Sequence, residues 1–312
     1  MSDITLTVEG VSKRYGVHQA LKEATLTARK GEVIALLGRN GAGKSTLMNI
    51  ITGYLAMTAG TVRICGHDVQ SAPLEARRHV GYLPEQPPLY LDMTVREYLC
   101  YCAQLKGLGK QRSEIDRVIE ATALGEYASR LTRKLSKGYR QRLGVAQALL
   151  GSPALLILDE PGNGLDPVQM LHMREMVRRA GSESTVLLSS HLLSEVTEVC
   201  TRAVVIEKGV IHYDGPMSRL TEDAGSLHVR WRGGADLPER LAALPGVLQM
   251  KAHAGEKNGC TDAQLRCEAG QDLRGDVFRL FAASDAQLLE LAPVHGGLEE
   301  AFLRLVEEGK EA

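Results

Sequence analysis

The chain has 312 residues, 44% of them hydrophobic and 4% aromatic, with a formal net charge of −1. That length accommodates one large or two modest domains, and the near-neutral balance gives no global pull toward nucleic acid or anionic lipid. The cysteines Cys65, Cys100, Cys102, Cys200, Cys260 and Cys267 lack C-x-x-C spacing, which argues against a disulfide framework or a zinc site and suits a reducing compartment.

The N-terminus, residues 1–9, alternates as a half-buried strand does. This start has neither the basic segment nor the apolar core of a signal peptide, and no stretch of the chain reaches the roughly 18 consecutive apolar residues of a membrane-spanning helix. Residues 32–37, E-V-I-A-L-L, predict a short buried strand, and G-R-N-G-A-G-K-S follows at 38–45. Gly38, Gly41 and Gly43 let the backbone turn its N–H groups toward one anion. Lys44 is placed to reach the β- and γ-phosphates of a nucleotide, and the Ser45 hydroxyl is placed for Mg²⁺. Asn40 and Thr46 complete the nucleotide-binding candidates. Residues 45–51 then read as a helix whose N-terminus faces the phosphates. With its partner an external phosphate, Lys44 is expected to face solvent in the free protein.

Residues 85–150 read as mainly helical. Thr94 and Glu97 form a T-x-x-E capping box for a helix running to about Lys106, ended by G-L-G at 107–109. A second helix spans about 113–122. In L-S-K-G-Y-R-Q-R at 135–142, Ser136 is suited to cap a helix with Tyr139, Leu143, Ala146 and Leu150 at helical spacing. A Ser-capped helix start with Gly138 close by is a second anion-binding surface. Next, L-L-I-L at 155–158 predicts a strand buried on both faces. It ends in Asp159 and Glu160, whose carboxylates should emerge at its C-terminal end, the edge where open α/β sheets bind ligands. There Asp159 can hold Mg²⁺ through water, and Glu160 can orient or deprotonate an attacking water. Strands are also expected near 185–189 and 202–207, with Lys208 and Gly209 turning into a strand at 210–213.

The phosphate loop alone indicates an NTPase. The stretch 135–142 resembles the signature L-S-G-G-Q of ATP-binding-cassette (ABC) proteins, with Lys137 in place of the third-position Gly and Tyr139 in place of Gln. The chain therefore resembles the nucleotide-binding subunit of an ABC transporter. The resemblance implies an α/β P-loop NTPase cassette with an antiparallel β subdomain and a helical subdomain, working with ATP and Mg²⁺. It implies that Tyr15 stacks on adenine and that G-L-D at 164–166 is the D-loop, which contacts a partner subunit. His191 matches the switch histidine that contacts the γ-phosphate, with Lys44 and Glu160 as the other catalytic candidates. Ser136 and Gly138 would complete the site of the opposite subunit in a homodimer. In G-Y-L-P-E-Q at 81–86, the usual Q-loop glutamine aligns with Glu85, and Gln86 comes one place later. Either Glu85 takes the metal-facing role or the loop shifts by one residue. The implied partner is an integral membrane permease on another chain, with the ATPase cytoplasmic on the inner membrane face and no nucleic acid bound. Residues 81–99 and the ending at 298–305 resemble exporter-type ATPases, including a gliding-motility-type branch. The alternative is the ATPase of a non-transport, motility or regulatory membrane complex.

Residues 1–220 are thus expected to form the ATPase domain and 221–312 an accessory α+β domain. In the latter, Leu227, Val229 and Trp231 alternate as a strand, and a helix is expected at 237–244. Strands at 247–253 and 263–269 flank a turn-rich segment at 255–259. A helix at 272–283, a strand at 287–292 and a last helix at 297–308 complete the series. The order β-α-β-β-α-β-α suggests a ferredoxin-like module.

Overall fold

A computed structural model describes residues 3–108, 112–190, 196–221, 226–254, 260–268 and 271–294. The chain divides into two compact units, Met1–Met217 and Ser218–Arg304. The elements of the first are β1 (Ile4–Tyr15), β2 (His18–Arg29), β3 (Val33–Leu37), α1 (Lys44–Ile51), β4 (Ala59–Ile64), β5 (His67–Asp68), α2 (Pro73–Arg78) and β6 (Val80–Leu83). They continue with α3 (Val95–Leu105), α4 (Arg112–Ala121), α5 (Lys137–Leu149), β7 (Leu155–Asp159), α6 (Pro167–Glu183), β8 (Thr185–Ser189), β9 (Arg202–Glu207) and β10 (Val210–Pro216). A short α7 (Met217–Thr221) follows.

Two sheets build this unit. The antiparallel sheet has the order β2-β1-β4-β5, and the larger sheet has the order β10-β9-β3-β8-β7-β6. In the larger sheet β9, β3, β8, β7 and β6 run parallel, with β10 antiparallel at the edge. The residues of β3, β7 and β8 are all buried, as continuous aliphatic runs covered on both faces must be. The inward residues Leu6 and Val8 of β1 share a core with Ile34 and Leu36 of β3 and with Leu47, Met48 and Ile51 of α1. This packing fixes the helix that follows the glycine-rich loop. Because the central strands are parallel, their C-terminal ends lie along one edge, and residues 38–45, Glu85, Asp159 and Ser189 all leave the sheet there.

The helical region has its own core, in which Val95, Tyr98 and Leu99 of α3 meet Ile115, Val118 and Ile119 of α4 and Leu143 and Ala146 of α5. The capping box forms as expected: the Glu97 amide donates to Thr94 Oγ1 (3.3 Å), and the Thr94 amide donates to Glu97 Oε2 (2.8 Å).

The second unit contains β11 (Ser226–Arg232), α8 (Leu237–Ala242), β12 (Val247–Ala254), β13 (Cys260–Cys267), α9 (Arg274–Ala282) and β14 (Gln287–Val294). The strand order β12-β13-β11-β14, with every neighbouring pair antiparallel, is that of a ferredoxin-like split βαβ. Trp231, Val229, Leu265, Val277 and Phe281 form its core, with Trp231 and Phe281 edge to face at 5.8 Å. The expected turn at 255–259 and helix at 297–308 lie outside the described residues.

Candidate functional site

The loop after β3 is shaped by contacts that exclude side chains. Gly43, which leads into α1, has φ +112°, and a Cβ there would stand 2.7 Å from the Ala20 carbonyl oxygen. Gly38 needs no unusual backbone; it is glycine because a Cβ there would clash with the Ile206 carbonyl oxygen of β9. Gly209 of the β9–β10 turn donates its N–H to the Ala42 carbonyl at 2.9 Å. The loop is therefore held from β2, β9 and the β9–β10 turn together.

Lys44 departs from expectation. It is 7% exposed, not solvent-facing, and its Nζ donates to the carbonyls of Gly38 (2.6 Å) and Arg39 (3.3 Å). A buried ammonium must find acceptors, and the loop's own carbonyls are within reach. Burial pushes its proton affinity below the ordinary lysine range, while the carboxylates of Glu160, Asp159 and Glu207 act in the opposite direction.

The carboxylates at the end of β7 are positioned by β8. Asp159 pairs in register with Ser189, whose hydroxyl donates to Asp159 Oδ1 at 2.6 Å. The same hydroxyl accepts from the Glu160 amide at 3.0 Å. Glu160 itself has φ +49°, an uncommon left-handed conformation for a residue with a side chain. Burial raises the Asp159 pKa above the usual carboxylate value; the Ser189 bond opposes this, and the neighbouring charges of Glu160 and Glu85 add to it. A site in which neighbouring carboxylates raise the pKa of Asp159 is receptive to a cation.

A cavity of about 640 Å³ gathers these groups. Its lining includes Asn40, Gly41, Gly43, Lys44, Ser45 and Thr46 from the loop and helix start, Asp159 and Glu160 from β7, and Tyr15 from β1. Tyr15 is 48% exposed, and Lys13 Nζ lies 5.0 Å above one face of its ring. Glu85 lines this cavity and accepts from Asn163 Nδ2 at 3.3 Å. Gln86 lines a different hollow, with Asn49, Tyr82 and Lys106. Of the two neighbours, it is Glu85 that stands with the acids and Lys44. His191 lies outside the described residues.

Among the described residues, no cluster of three or more His, Cys, Asp or Glu side chains is arranged to hold a metal. Mg²⁺ takes one or two carboxylates and completes its shell with phosphate oxygens and water. Asp159, Glu85 and the exposed Ser45 hydroxyl supply oxygen donors of that kind in one cavity.

The signature stretch stands apart from this cavity. Ser136 caps α5, accepting from the Tyr139 amide at 3.5 Å, and Gly138 packs against the Gln169 side chain of α6. Neither lines the cavity around Lys44. The two departures from the family pattern have local partners. The Tyr139 ring lies 4.0 Å from that of Tyr127 and carries the Arg142 guanidinium at 5.2 Å. The Lys137 side chain lies across Gly164 of the D-loop, whose φ is +72°.

Sequence reasoning missed Ser189, Asn163 and His18. His18 lines the cavity from β2. Ser189 becomes legible only when β7 and β8 are known to be adjacent and in register, since it then stands opposite Asp159.

A parallel sheet carrying a phosphate-binding loop and an acidic strand end on one edge defines a P-loop NTPase. Comparison with known proteins narrows the class. The family described as ABC transporter matches residues 21–163. The chain is 29% identical over 322 residues to the bacitracin transport ATP-binding protein BcrA of Bacillus licheniformis, covering 99% of each chain. It is 37% identical over 215 residues to the lantibiotic transport ATP-binding protein SrtF of Streptococcus pyogenes, covering 67% of this chain and 92% of the relative. A solved structure of an ATP-binding subunit of an ABC transporter superposes with a TM-score of 0.64 at 31% identity, over 69% of this chain and 91% of that one. The chain belongs to the ATP-binding subunits of ABC transporters and is an ATPase of that type.

Proposed function

We propose that this subunit couples ATP-driven closure of a homodimer to a separate integral membrane permease, in the direction of export. The observation that carries the dimeric reading is the separation of two anion-suited surfaces. The loop at 38–45 lines the cavity with Asp159 and Glu160, whereas Ser136 and Gly138 start a helix outside it. A two-fold arrangement lets each surface meet the other subunit's nucleotide. Export is supported by the bacitracin and lantibiotic transport functions of two relatives and by the resemblance of residues 81–99 to exporter-type ATPases, including the gliding-motility-type branch. No described helix is long and apolar enough to cross a membrane; the subunit is proposed to sit on the cytoplasmic face, held to the membrane by its permease.

The proposed roles follow from position. Tyr15 stacks on adenine with the ring face that Lys13 leaves open. Loop amides from Gly38 to Thr46, with Asn40, cradle the phosphates, and Lys44 turns from the Gly38 carbonyl to the β- and γ-phosphate oxygens. Bound through Ser45, Asp159 and Glu85, Mg²⁺ supplies charge neutralisation at the transferring phosphoryl group. Glu160 takes a proton from the attacking water, held in place by the bond from its amide to Ser189. His191 contacts the γ-phosphate, as the family resemblance implies. Ser136 and Gly138 of the second subunit close the site. Binding free energy expressed only in the closed dimer drives closure, and hydrolysis reopens it.

Lys44→Ala is expected to lower ATP affinity and turnover sharply, since it removes a charge-assisted contact to the phosphates. It also leaves the Gly38 and Arg39 carbonyls without their donor, a loss of about 1–3 kcal/mol, so the variant should melt at a lower temperature. Nucleotide titration with a thermal melt checks both; tight ATP binding by the variant would contradict the role of the loop.

We assign residues 1–220 to the ATPase domain and 221–312 to an accessory domain that acts on stability or partner control. A chain truncated after Leu220 should still bind ATP. A truncated chain that is soluble and folded yet binds none would show that the accessory part belongs to the site.

The complex is tested by isolating the ATPase with its native membrane partner and measuring ATP-dependent transport in reconstituted vesicles. A multi-helix permease that exports solute only with ATP is the expected result. A partner that uses ATP but moves no solute would replace transport with a motility or regulatory role.

A further inference from the structure

The cavity around Lys44 takes three of its lining residues, Tyr15, His18 and Ala20, from the β1–β2 hairpin. Tyr15 and His18 stand opposite each other in register, on either side of the turn at Gly16 and Val17. Opposed residues of an antiparallel pair raise their side chains on one face, with Cβ atoms about 5 Å apart. Ala20, two residues along β2 from His18, shares that face.

The hairpin is seated on the phosphate loop through β2. A Cβ on Gly43 would stand 2.7 Å from the Ala20 carbonyl oxygen and 3.0 Å from Leu21 Cδ2. The Lys22 amide donates to the Gly209 carbonyl at 2.8 Å, and the Gly209 amide in turn holds the Ala42 carbonyl of the loop at 2.9 Å. In its sheet β2 is the edge strand, and β1 is its neighbour. Outward from the loop, β2 is therefore met first and β1 about 4.8 Å further on. Phosphate, sugar and base follow one another in the same order along a nucleotide. With phosphates on the loop and the base on Tyr15 of β1, the sugar falls beside His18 of β2.

His18 is exposed, and its ring nitrogens make no hydrogen bond or ion pair among the described residues. A neutral imidazole offers one donor and one acceptor nitrogen, which suits a hydroxyl that both donates and accepts. Stacking on Tyr15 supplies no such discrimination, because it uses only the face of a ring.

We propose that His18 is a specificity-determining residue that hydrogen-bonds the ribose hydroxyls of the bound nucleotide. This rests on the reading that puts the phosphates at residues 38–46 and the base on Tyr15. A net hydrogen bond of ordinary strength makes the site prefer ADP to 2′,3′-dideoxyADP by roughly 3- to 10-fold. His18→Ala lowers ADP affinity by about that factor, leaves dideoxyADP affinity unchanged and so removes the preference. A merely structural His18 would weaken both nucleotides alike.

The test titrates the full chain and its His18→Ala, His18→Gln and Tyr15→Ala variants with the magnesium complexes of ADP and 2′,3′-dideoxyADP by calorimetry, with a thermal melt of each. The expected result is a preference for ADP in the parent, lost in His18→Ala and kept in His18→Gln, whose amide also donates and accepts. Tyr15→Ala should weaken both nucleotides and keep the preference. A parent that binds the two equally, or a folded His18→Ala protein with the parent's preference, overturns the proposal while the reading of the cavity stands. A parent that binds neither nucleotide overturns that reading, and the proposal falls with it.

Discussion

Glu160→Gln is expected to retain ATP binding and to lose turnover by roughly 10²–10⁴-fold, the contribution of a positioned general base. The substitution keeps the side chain's shape. It leaves the bond from the residue 160 amide to Ser189 untouched, because that bond belongs to the backbone. The left-handed conformation at this position is no harder for Gln than for Glu. What is lost is the carboxylate that can accept a proton. Removing a negative charge beside Asp159 and Lys44 also favours an anionic ligand, so binding should hold or tighten. Single-turnover hydrolysis measured beside equilibrium binding separates the two effects. Near-normal turnover in the variant would remove Glu160 from the reaction.

The second large effect is expected at the signature helix. Ser136→Arg places a long cation where α5 begins, at an exposed position outside the cavity that holds Lys44. Binding of ATP to a single subunit should be nearly intact, because none of the groups lining that cavity changes. ATP-driven dimerisation and hydrolysis should both be abolished, because bulk at the N-cap obstructs close approach to the nucleotide of the other subunit. A mixture with Lys44→Ala subunits builds one site carrying both defects and one carrying neither, so a fraction of the hydrolysis returns if one good site suffices. Full hydrolysis by Ser136→Arg alone would show that the site needs no second subunit.

Much of this was legible in the sequence because the responsible interactions are local. The strand, glycine-rich loop and helix around 38–45 are contiguous, so pattern alone places the phosphate cradle. The Thr94–Glu97 capping box closes within four residues and formed as read. The accessory module was legible from alternation, and Leu227, Val229 and Trp231 are all buried on one face. Other features depend on tertiary neighbours. The burial of Lys44 arises because the Gly38 and Arg39 carbonyls lie within its reach once the loop is folded. Glu85 and Gln86 lie in a bend just past β6 and line different hollows, and no local pattern says which side holds the acids. Ser189 matters only through the order of strands in the sheet.

Sedimentation of the Glu160→Gln protein with and without ATP tests the coupling of nucleotide to closure most directly, because slow hydrolysis keeps ATP in place while the assembly is weighed. The expected result is a monomer without nucleotide that becomes a dimer with ATP and stays monomeric with ADP. A protein that binds ATP yet remains strictly monomeric at high concentration, both alone and with its membrane partner, would contradict the composite site.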